Sequence, residues 1–215
     1  MDRDRPSLYL IPTPLGNLDD ITIRALKVLE TVDIILCEDT RETKKLLDKY
    51  NIKNKLVSCH EFNEEKMKDR VLSYLVGGFN VGLVTDQGTP LISDPGYRIT
   101  SYIVSKGYEI ISLPGPTAFV PALTMSTLSP LPFLFYGFLN AKETRRKKEL
   151  TNLKNYPFTI IFYEAPHRIL ATLLNIKEIF GDRKICLARE ISKKYEEAIR
   201  GSVNEILDSK FELKG

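Results

Sequence analysis

The chain has 215 residues, of which 43% are hydrophobic and 27% charged, with a formal net charge of +3. This composition excludes a disordered chain and is typical of a globular protein with one or two domains and a substantial core. The net charge is too small to indicate a nucleic-acid partner by itself.

The start of the chain, MDRDRPSLYLIP, mixes acidic with basic residues and has no apolar core long enough for a signal peptide. No later apolar run approaches the length that crosses a bilayer. We therefore predict a soluble cytoplasmic protein without a membrane partner. Cys37, Cys59 and Cys186 lie far apart and match neither zinc-site spacing nor a disulfide framework, so no metal is predicted.

Short apolar strands alternate with amphipathic helices in the first half of the chain. Thr22 is a candidate cap for a helix with Ile23, Leu26, Leu29 and Val32 inward, and Thr40 is a candidate cap for the next helix. This alternation predicts parallel βαβ units whose strands are buried on both faces. The predicted strands are residues 7–11, 34–37, 56–59, 81–84 and 108–113, and the predicted helices 22–32, 40–50, 63–76 and 96–106.

Four turns follow the ends of these strands and should lie along one edge of the sheet, where such folds bind ligands. They read PTPLGN, CEDTR, TDQGTPLISDPG and LPGPTA. The third, Thr85–Gly96, is longer than the roughly two to six residues of an ordinary strand-to-helix connection. Its glycines and prolines favour a functional loop that approaches a ligand closely, although an ordinary connection remains the alternative.

The second half repeats the alternation less regularly. The run ISKKYEEAIRG is compatible with an exposed strand, and the chain ends at FELKG without a final apolar strand, so we expect a shortened version of a longer protein. We predict an α/β fold with two domains, residues 1–116 and 117–215. The predicted elements are helix 118–127, strand 133–139, a basic segment 142–154, strand 159–163, helix 168–180, strand 185–188 and helix 202–207.

Two common nucleotide-binding fingerprints, G-x-G-x-x-G and G-x-x-x-x-G-K-[ST], are absent from the sequence, which disfavours a Rossmann dehydrogenase or a P-loop enzyme. No serine or cysteine lies in a recognisable nucleophile motif. For His60 a structural role is favoured. His167, in EAPHR, is open to both a functional role and helix capping with surface pairing.

A basic run between the predicted strands 133–139 and 159–163 has two interpretations. It is either a solvated helix face or, beside a cleft, a phosphate contact surface for nucleic acid. Its members are Lys142, Arg145, Arg146, Lys147 and Lys148.

Six motifs in order and register resemble a known family. They are LYLIPTPLGNLDDIT, CEDTR, TDQGTPLISDPGY, LPGPTA, FYEAPHR and LARE, and the match runs from Leu8 to about Leu207. The sequence resembles the small-subunit ribosomal RNA 2'-O-methyltransferases that act on a cytidine ribose in the decoding centre, a branch of the tetrapyrrole methylase superfamily. The resemblance implies two α/β domains with S-adenosylmethionine in the cleft between them, no metal, and a homodimer that acts on small-subunit ribosomal RNA or the ribosomal subunit.

The resemblance also implies site residues. Tyr163 and Glu164 would close the cofactor pocket from the second domain together with Ala188. With an RNA substrate, the basic run predicts RNA contacts at Arg145, Arg146, Lys147 and Lys148. We hypothesise that Glu164 or His167 is the general base and that Arg168 holds a phosphate. The cofactor contacts implied are Pro14, Leu15, Gly16, Asp86, Gly88, Thr89, Ile92, Thr117, Ala118, Tyr163 and Ala188.

Two features depart from the family pattern. Gln87 occupies a position where the family usually has alanine, and the family continues with a strand after the point where this chain ends. Two rival functions stay open, a methyltransferase of the same fold acting on a small tetrapyrrole-like molecule and an RNA-binding protein without catalysis. The basic run and EAPHR favour RNA over a tetrapyrrole.

Overall fold

A computed structural model describes residues 5–209 of the chain. The chain is divided into two compact units, Met1–Thr117 and Ala118–Gly215. The initial MDRD and the final FELKG lie outside the described residues. The expectation of a shortened chain was based on FELKG and therefore concerns a part of the chain that the structure does not describe. No helix within residues 5–209 is long and apolar enough to cross a membrane.

The first unit alternates strands with helices in the predicted order, with one 3-10 turn at Leu18–Asp20. Its strands are β1 (Leu8–Leu10), β2 (Ile34–Cys37), β3 (Leu56–Ser58), β4 (Val81–Leu83) and β5 (Ile110–Ser112). Its α-helices are α1 (Ile23–Thr31), α2 (Thr40–Lys49), α3 (Glu64–Val76) and α4 (Tyr97–Ser105).

All five strands form one parallel sheet in the order β3-β2-β4-β1-β5, which confirms the predicted βαβ architecture. Strand β2 is buried along its whole length. Ile34 and Leu36 pack in one core with residues of α3 and α4, whereas Ile35 and Cys37 pack in a second core with residues of α1 and α2. The sheet is therefore covered on both faces, and the carboxyl ends of its strands share one edge, as predicted.

Helix α1 begins at the predicted cap, since the Thr22 hydroxyl accepts a hydrogen bond from the N–H of Ala25 at 3.0 Å. The predicted inward face was wrong at Ile23, which is 74% exposed. Leu29 is buried as predicted, and Ala25, one helical turn before it, lies on the same buried face in place of Ile23.

The cap of helix α2 lies one residue earlier than predicted. The Asp39 side chain accepts a hydrogen bond from the N–H of Arg41 at 2.8 Å, and Thr40 is the first helical residue. Aspartate is as effective a cap as threonine, so the local sequence CEDTR offers two adjacent candidates.

The second unit contains a parallel pair, β6 with β7, and an antiparallel pair, β8 with β9. Helix α5 packs against β8 and β9, while α6, α7 and α8 surround a core that includes Leu139, Leu150 and Ile176. The possible strand in ISKKYEEAIRG begins at Glu197, after a turn. The elements are α5 (Phe119–Ser126), β6 (Phe133–Phe138), α6 (Glu143–Leu153), β7 (Thr159–Tyr163), α7 (Ile169–Phe180), β8 (Lys184–Arg189), β9 (Glu197–Ser202) and α8 (Val203–Asp208).

Candidate functional site

The loop Thr85–Gly96, after β4, is tied to the turn after β1. The N–H of Thr13 donates to the Gly88 carbonyl at 2.9 Å, and the N–H of Gly88 donates to the Thr13 carbonyl at 3.0 Å. The Thr13 hydroxyl donates to the carbonyl of Thr85 at 3.0 Å. Thr13 and Gly88 are both buried. These bonds fix the first part of the loop against a neighbouring strand end.

Gly88 has a φ of +90°, a backbone conformation that residues other than glycine rarely adopt. A Cβ at this position would lie 3.3 Å from Leu15 Cδ2 and 3.8 Å from the Pro116 carbonyl oxygen. The structure therefore brings Leu15 and Gly88, both predicted cofactor contacts, side by side. Of the two residues that flank Leu15 in the sequence, Pro14 is buried and Gly16 is exposed.

The turn after β5 meets the same loop through Thr89. The Thr89 hydroxyl donates to the Pro116 carbonyl at 2.8 Å and lies 2.6 Å from the Thr117 hydroxyl. The N–H of Ile92 donates to the Thr89 carbonyl at 3.3 Å. Thr89 and Thr117 are thus in direct contact, and Ile92 is bound to Thr89 within the loop.

Carboxylates gather where β2 and β4 end. Asp86 accepts a hydrogen bond from the N–H of Asp39 at 3.0 Å, which links the loop to the CEDTR turn. Burial, followed by the charges of Glu38 and Asp86, raises the pKa of Asp94 to about 7. Burial, and then the charge of Asp86, also raises the pKa of Glu38. In contrast, hydrogen bonds from Arg41 lower the pKa of Asp39 to about 2.

In the second unit, the predicted cofactor contacts Ala118 and Tyr163 lie next to each other. The Tyr163 hydroxyl accepts a hydrogen bond from the N–H of Phe119 at 3.2 Å, and Ala118 caps the helix that Phe119 begins. Ala188 lies on β8, opposite Ala198 of β9 and half-buried. It belongs to a separate hairpin of the same unit.

Glu164 and Arg168 form an ion pair between the end of β7 and the start of α7. Arg168 Nε lies 3.2 Å from Glu164 Oε1, and the Glu164 side chain is only 6% exposed. Glu164 also accepts hydrogen bonds from the Ala165 N–H at 2.8 Å and the Thr172 hydroxyl at 2.6 Å. Both of its oxygens therefore have partners, whereas His167, on the same turn, is exposed.

Arg168 has a second partner besides Glu164. Its Nη2 donates to the carbonyl of Leu139 at 2.8 Å, and its side chain is 21% exposed. The guanidinium thus joins the turn after β7 to the end of β6. Part of its donor capacity is committed within the protein.

The basic run on α6 divides into inward and outward residues. Arg146 is 4% exposed, and its guanidinium donates to Asn175 Oδ1 at 2.7 Å and to the carbonyls of Asn140 and Ala141 at 3.4 and 3.1 Å. This burial and these internal partners argue against the predicted RNA contact at Arg146.

The other members of the run differ in what they contact. Lys147 lies 3.1 Å from Glu143 and 2.7 Å from Glu178, so its charge is compensated on the surface. Arg145 and Lys148 are exposed. The outward positive charge of α6 is therefore smaller than the sequence indicates.

Metal ligands do not cluster in the described part of the chain. Within residues 5–209 no group of three or more His, Cys, Asp or Glu side chains is arranged to hold a metal ion. His60 is half-buried and contacts Phe62 edge-on, with ring centroids 6.0 Å apart. This environment is compatible with the structural role favoured for His60.

Comparison with known proteins identifies the family. The family model for tetrapyrrole (corrin/porphyrin) methylases matches residues 7–207. The chain is 50% identical over 204 residues to ribosomal RNA small subunit methyltransferase I of Bacillus subtilis (strain 168), covering 95% of this chain and 70% of the relative. The chain belongs to this methyltransferase family, a branch of the tetrapyrrole methylases. The Thermotoga maritima protein of the same name is 45% identical over 207 residues, 96% of this chain and 92% of that protein.

Solved structures show that this methyltransferase has the tetrapyrrole methylase fold. Cobalt precorrin-4 methyltransferase, a cobalamin biosynthetic enzyme, matches with a TM-score of 0.71 at 20% identity over 93% of this chain and 87% of that chain. Uroporphyrin-III C-methyltransferase from Thermus thermophilus, complexed with S-adenosyl homocysteine, matches with a TM-score of 0.68 at 18% identity over 97% and 94%.

One residue of this methyltransferase that the sequence analysis missed supports the far end of the loop. Glu64 is 5% exposed, and its Oε1 accepts hydrogen bonds from the N–H groups of Gly96, Arg98 and Ile99 at 3.2, 2.7 and 3.2 Å. It therefore caps α4 from the first turn of α3. Its sequence signal, a glutamate at a helix start, is too common to single it out.

Proposed function

We propose that this protein transfers the methyl group of S-adenosylmethionine to the 2'-oxygen of a cytidine ribose in small-subunit ribosomal RNA. The observation that carries the proposal is the anchorage of the loop Thr85–Gly96 to the three neighbouring turns through Thr13, Asp39 and Pro116. It is supported by two relatives named ribosomal RNA small subunit methyltransferase I, which are 50% and 45% identical to this chain.

The loops of the first unit fit the cofactor. Bound S-adenosylmethionine supplies an electrophilic methyl group on a positively charged sulfur. Gly88 leaves open the space that a Cβ would fill 3.3 Å from Leu15, so backbone can approach a ligand closely there. Asp86 is exposed and offers a carboxylate for a cationic group. Ala118, Tyr163 and Ala188 stay predicted cofactor contacts.

The chain's own residues must place the ribose hydroxyl in line with the methyl group. Such positioning contributes up to roughly 7 to 11 kcal/mol to lowering the barrier. A general base adds about 100- to 10,000-fold in rate by accepting the hydroxyl proton. The partners of Glu164 favour a positioning role for it, in which it holds Arg168 and the start of α7. Exposed His167 is then the favoured proton acceptor.

Labelled methyl transfer tests the activity. The purified protein is incubated with methyl-labelled S-adenosylmethionine and, in parallel, with small ribosomal subunits and naked RNA from cells that lack this methyltransferase. We expect label in 2'-O-methylcytidine after digestion to nucleosides. Label on a base, or none while calorimetry shows that the cofactor binds, contradicts the proposal.

Replacing Glu164 and His167 separately by Gln tests the proton acceptor. If His167 accepts the proton, H167Q lowers the methylation rate at least tenfold without changing cofactor affinity. If Glu164 positions Arg168, E164Q changes the RNA KM more than the rate. Rates within a few fold of wild type for both variants contradict a role for either residue as the base.

A small tetrapyrrole-like substrate is the second candidate. Two observations favour it: the family model is that of tetrapyrrole methylases, and cobalt precorrin-4 methyltransferase has a similar fold. Those structural matches are 20% identical or less, whereas the relatives named for ribosomal RNA are 42% to 50% identical. Methylation of uroporphyrinogen but not RNA would support the second candidate. A non-catalytic RNA binder would show no calorimetric signal with S-adenosylmethionine.

We further propose a cytoplasmic homodimer that acts on RNA or the assembled subunit. Light scattering after gel filtration measures its mass, and twice the chain mass of 24.5 kDa is expected. A monomer that methylates RNA at full rate contradicts the dimer alone.

A further inference from the structure

The turn that joins β8 to β9 is a defined structure. The Lys193 N–H donates to the Glu190 carbonyl at 2.9 Å, and the Glu196 N–H donates to the Lys193 carbonyl at 3.1 Å. The Ser192 N–H donates to the Glu196 carboxylate at 2.6 Å. Glu190 and Ser192 adopt positive φ values of 50° and 66°. Hydrogen bonds therefore hold the backbone of this turn in one conformation.

The carboxylates around this turn are all engaged locally. Glu190 pairs with Lys193 at 3.1 Å, and Glu197 pairs with Arg189 at 2.6 Å across the hairpin. Glu196 binds the backbone of Ser192. Two of these three carboxylates are thus paired with cations, and the third is held by a backbone N–H.

Lys194 and Tyr195 are exposed, and their side chains take part in none of the hydrogen bonds and ion pairs described above. Tyr195 is 68% exposed, and Lys194 Nζ lies 5.4 Å from the centroid of its ring. Lys194 forms no ion pair with any carboxylate among residues 5–209. An exposed aromatic ring next to an uncompensated cation is the combination with which proteins bind single-stranded nucleic acid.

We propose that Lys194 and Tyr195 contact an unpaired nucleotide of the RNA substrate, an inference that rests on the proposed function. The Tyr195 ring stacks on a base, and the Lys194 ammonium contacts the adjacent phosphate. A protein partner fits less well, because the neighbours of Tyr195 are charged and lysine is depleted from protein interface cores. An unpaired nucleotide fits because bases inside an A-form helix offer no face for stacking.

A single tryptophan tests the stacking directly, since the chain contains none. In Tyr195→Trp, we expect unpaired small-subunit RNA to quench the indole fluorescence, with a midpoint that matches the KM for methylation. Phe79→Trp is the matched control, because Phe79 is 47% exposed and precedes β4 at the opposite edge of the sheet from the cofactor loops. Equal quenching of both variants, or none in an active Tyr195→Trp, overturns the inference.

Substitution separates stacking from charge. Tyr195→Ala should raise the RNA KM by about 5- to 100-fold, while Tyr195→Phe stays near wild type because it keeps the ring. Lys194→Ala should reduce the slope of log affinity against log salt concentration by about 1. Lys106→Ala is its control, since Lys106 lies similarly over a tyrosine, 5.1 Å from the Tyr102 ring, after α4.

The KM for S-adenosylmethionine should be unchanged in all these variants. If the wild-type protein methylates no RNA, the proposed function fails. If the wild-type protein methylates RNA and Tyr195→Ala keeps its RNA KM, only this inference fails.

Discussion

Thr13 and Gly88 exchange two backbone hydrogen bonds, at 2.9 and 3.0 Å, across the edge where β1 and β4 end. This pair closes the loop Thr85–Gly96 onto the PTPLGN turn and fixes Gly88 at a φ of +90°. Because Leu15 Cδ2 lies 3.3 Å from the position that a Cβ of residue 88 would occupy, the space beside this glycine is limited on one side. The consequence can be tested with a side chain at this position.

Gly88→Val should abolish binding of S-adenosylmethionine while the protein still folds. The valine would bring its Cβ within 3.3 Å of Leu15 and would strain a positive φ, so the loop must shift away from its observed position. Calorimetry measures the affinity, and circular dichroism with thermal unfolding measures the fold. An affinity equal to wild type would show that the loop is an ordinary connection.

Gly78→Val is the matched control for this substitution. Gly78 has almost the same φ, +89°, but a Cβ there meets no atom within 4 Å. It lies between α3 and β4, at the opposite edge of the sheet. We expect a comparable loss of stability from backbone strain and an unchanged affinity for the cofactor. A loss of affinity in both variants would mean that strain alone explains the effect.

Much of the first unit follows directly from its apolar runs. The predicted strand 34–37 has the observed bounds, because a run of four apolar residues between Asp33 and Glu38 is too short for a helix and is typical of a strand buried on both faces. Once the strands are parallel, their carboxyl ends share one edge, and so do the four turns. The predicted placement of these turns along one edge is confirmed, and Thr13, Asp39 and Pro116 of three turns contact the long loop.

Long-range side-chain partners were not predictable in the same way. In the sequence, Glu64 is one of several acidic residues at the start of α3. Only the packing of α3 against α4 brings its carboxylate to the backbone of Gly96. In the sequence, Arg146 is one of several cations in a basic run. Its burial is explained only by the hydrogen bond to Asn175 on α7, which the local sequence does not show. Both depend on which helices pack together, which no local pattern contains.

Glu64→Ala should lower the free energy of unfolding by about 1 to 3 kcal/mol, because it leaves buried N–H groups at the start of α4 without an acceptor. It should also weaken cofactor binding, since the N–H of Gly96 ends the loop. Urea unfolding and calorimetry measure the two effects. Glu65→Ala is the control, because Glu65 is 58% exposed and should change stability by about 0.5 kcal/mol or less. Equal losses in both variants would argue against a special role for Glu64.

Asp94 should make the protein less stable as the pH rises from about 4 to 7. Its pKa is raised from an ordinary 3.8 to about 7 in the folded protein, so over this range the folded state holds a proton that the unfolded state has released. Each pKa unit of difference corresponds to about 1.4 kcal/mol. Glu38, whose pKa is also raised, contributes in the same direction.

Asp94→Asn should remove most of this pH dependence. The amide mimics the protonated carboxyl, so the variant should match wild type at pH 4 and exceed its stability at pH 8, where wild-type Asp94 is ionised beside Glu38 and Asp86. Urea unfolding of both proteins across this pH range gives the two stability curves. Parallel curves would show that Asp94 has no raised pKa.

Arg145 and Arg146 should respond to substitution in opposite ways although they are neighbours. Arg146→Ala should lower the free energy of unfolding by about 1.5 to 3 kcal/mol through loss of its buried hydrogen bond to Asn175. Arg145→Ala should leave stability within about 0.5 kcal/mol, because this side chain is exposed. If Arg145 contacts a phosphate, its variant reduces the salt slope of RNA binding by about 1.

Arg146→Lys distinguishes a structural from an electrostatic role. Lysine keeps the charge but cannot reproduce the planar guanidinium that reaches Asn175 and the carbonyls of Asn140 and Ala141 together. We therefore expect Arg146→Lys to be destabilised like Arg146→Ala in urea unfolding. Wild-type stability in both variants, with RNA affinity lost only in Arg146→Ala, would return Arg146 to the phosphate-binding surface from which its burial removes it.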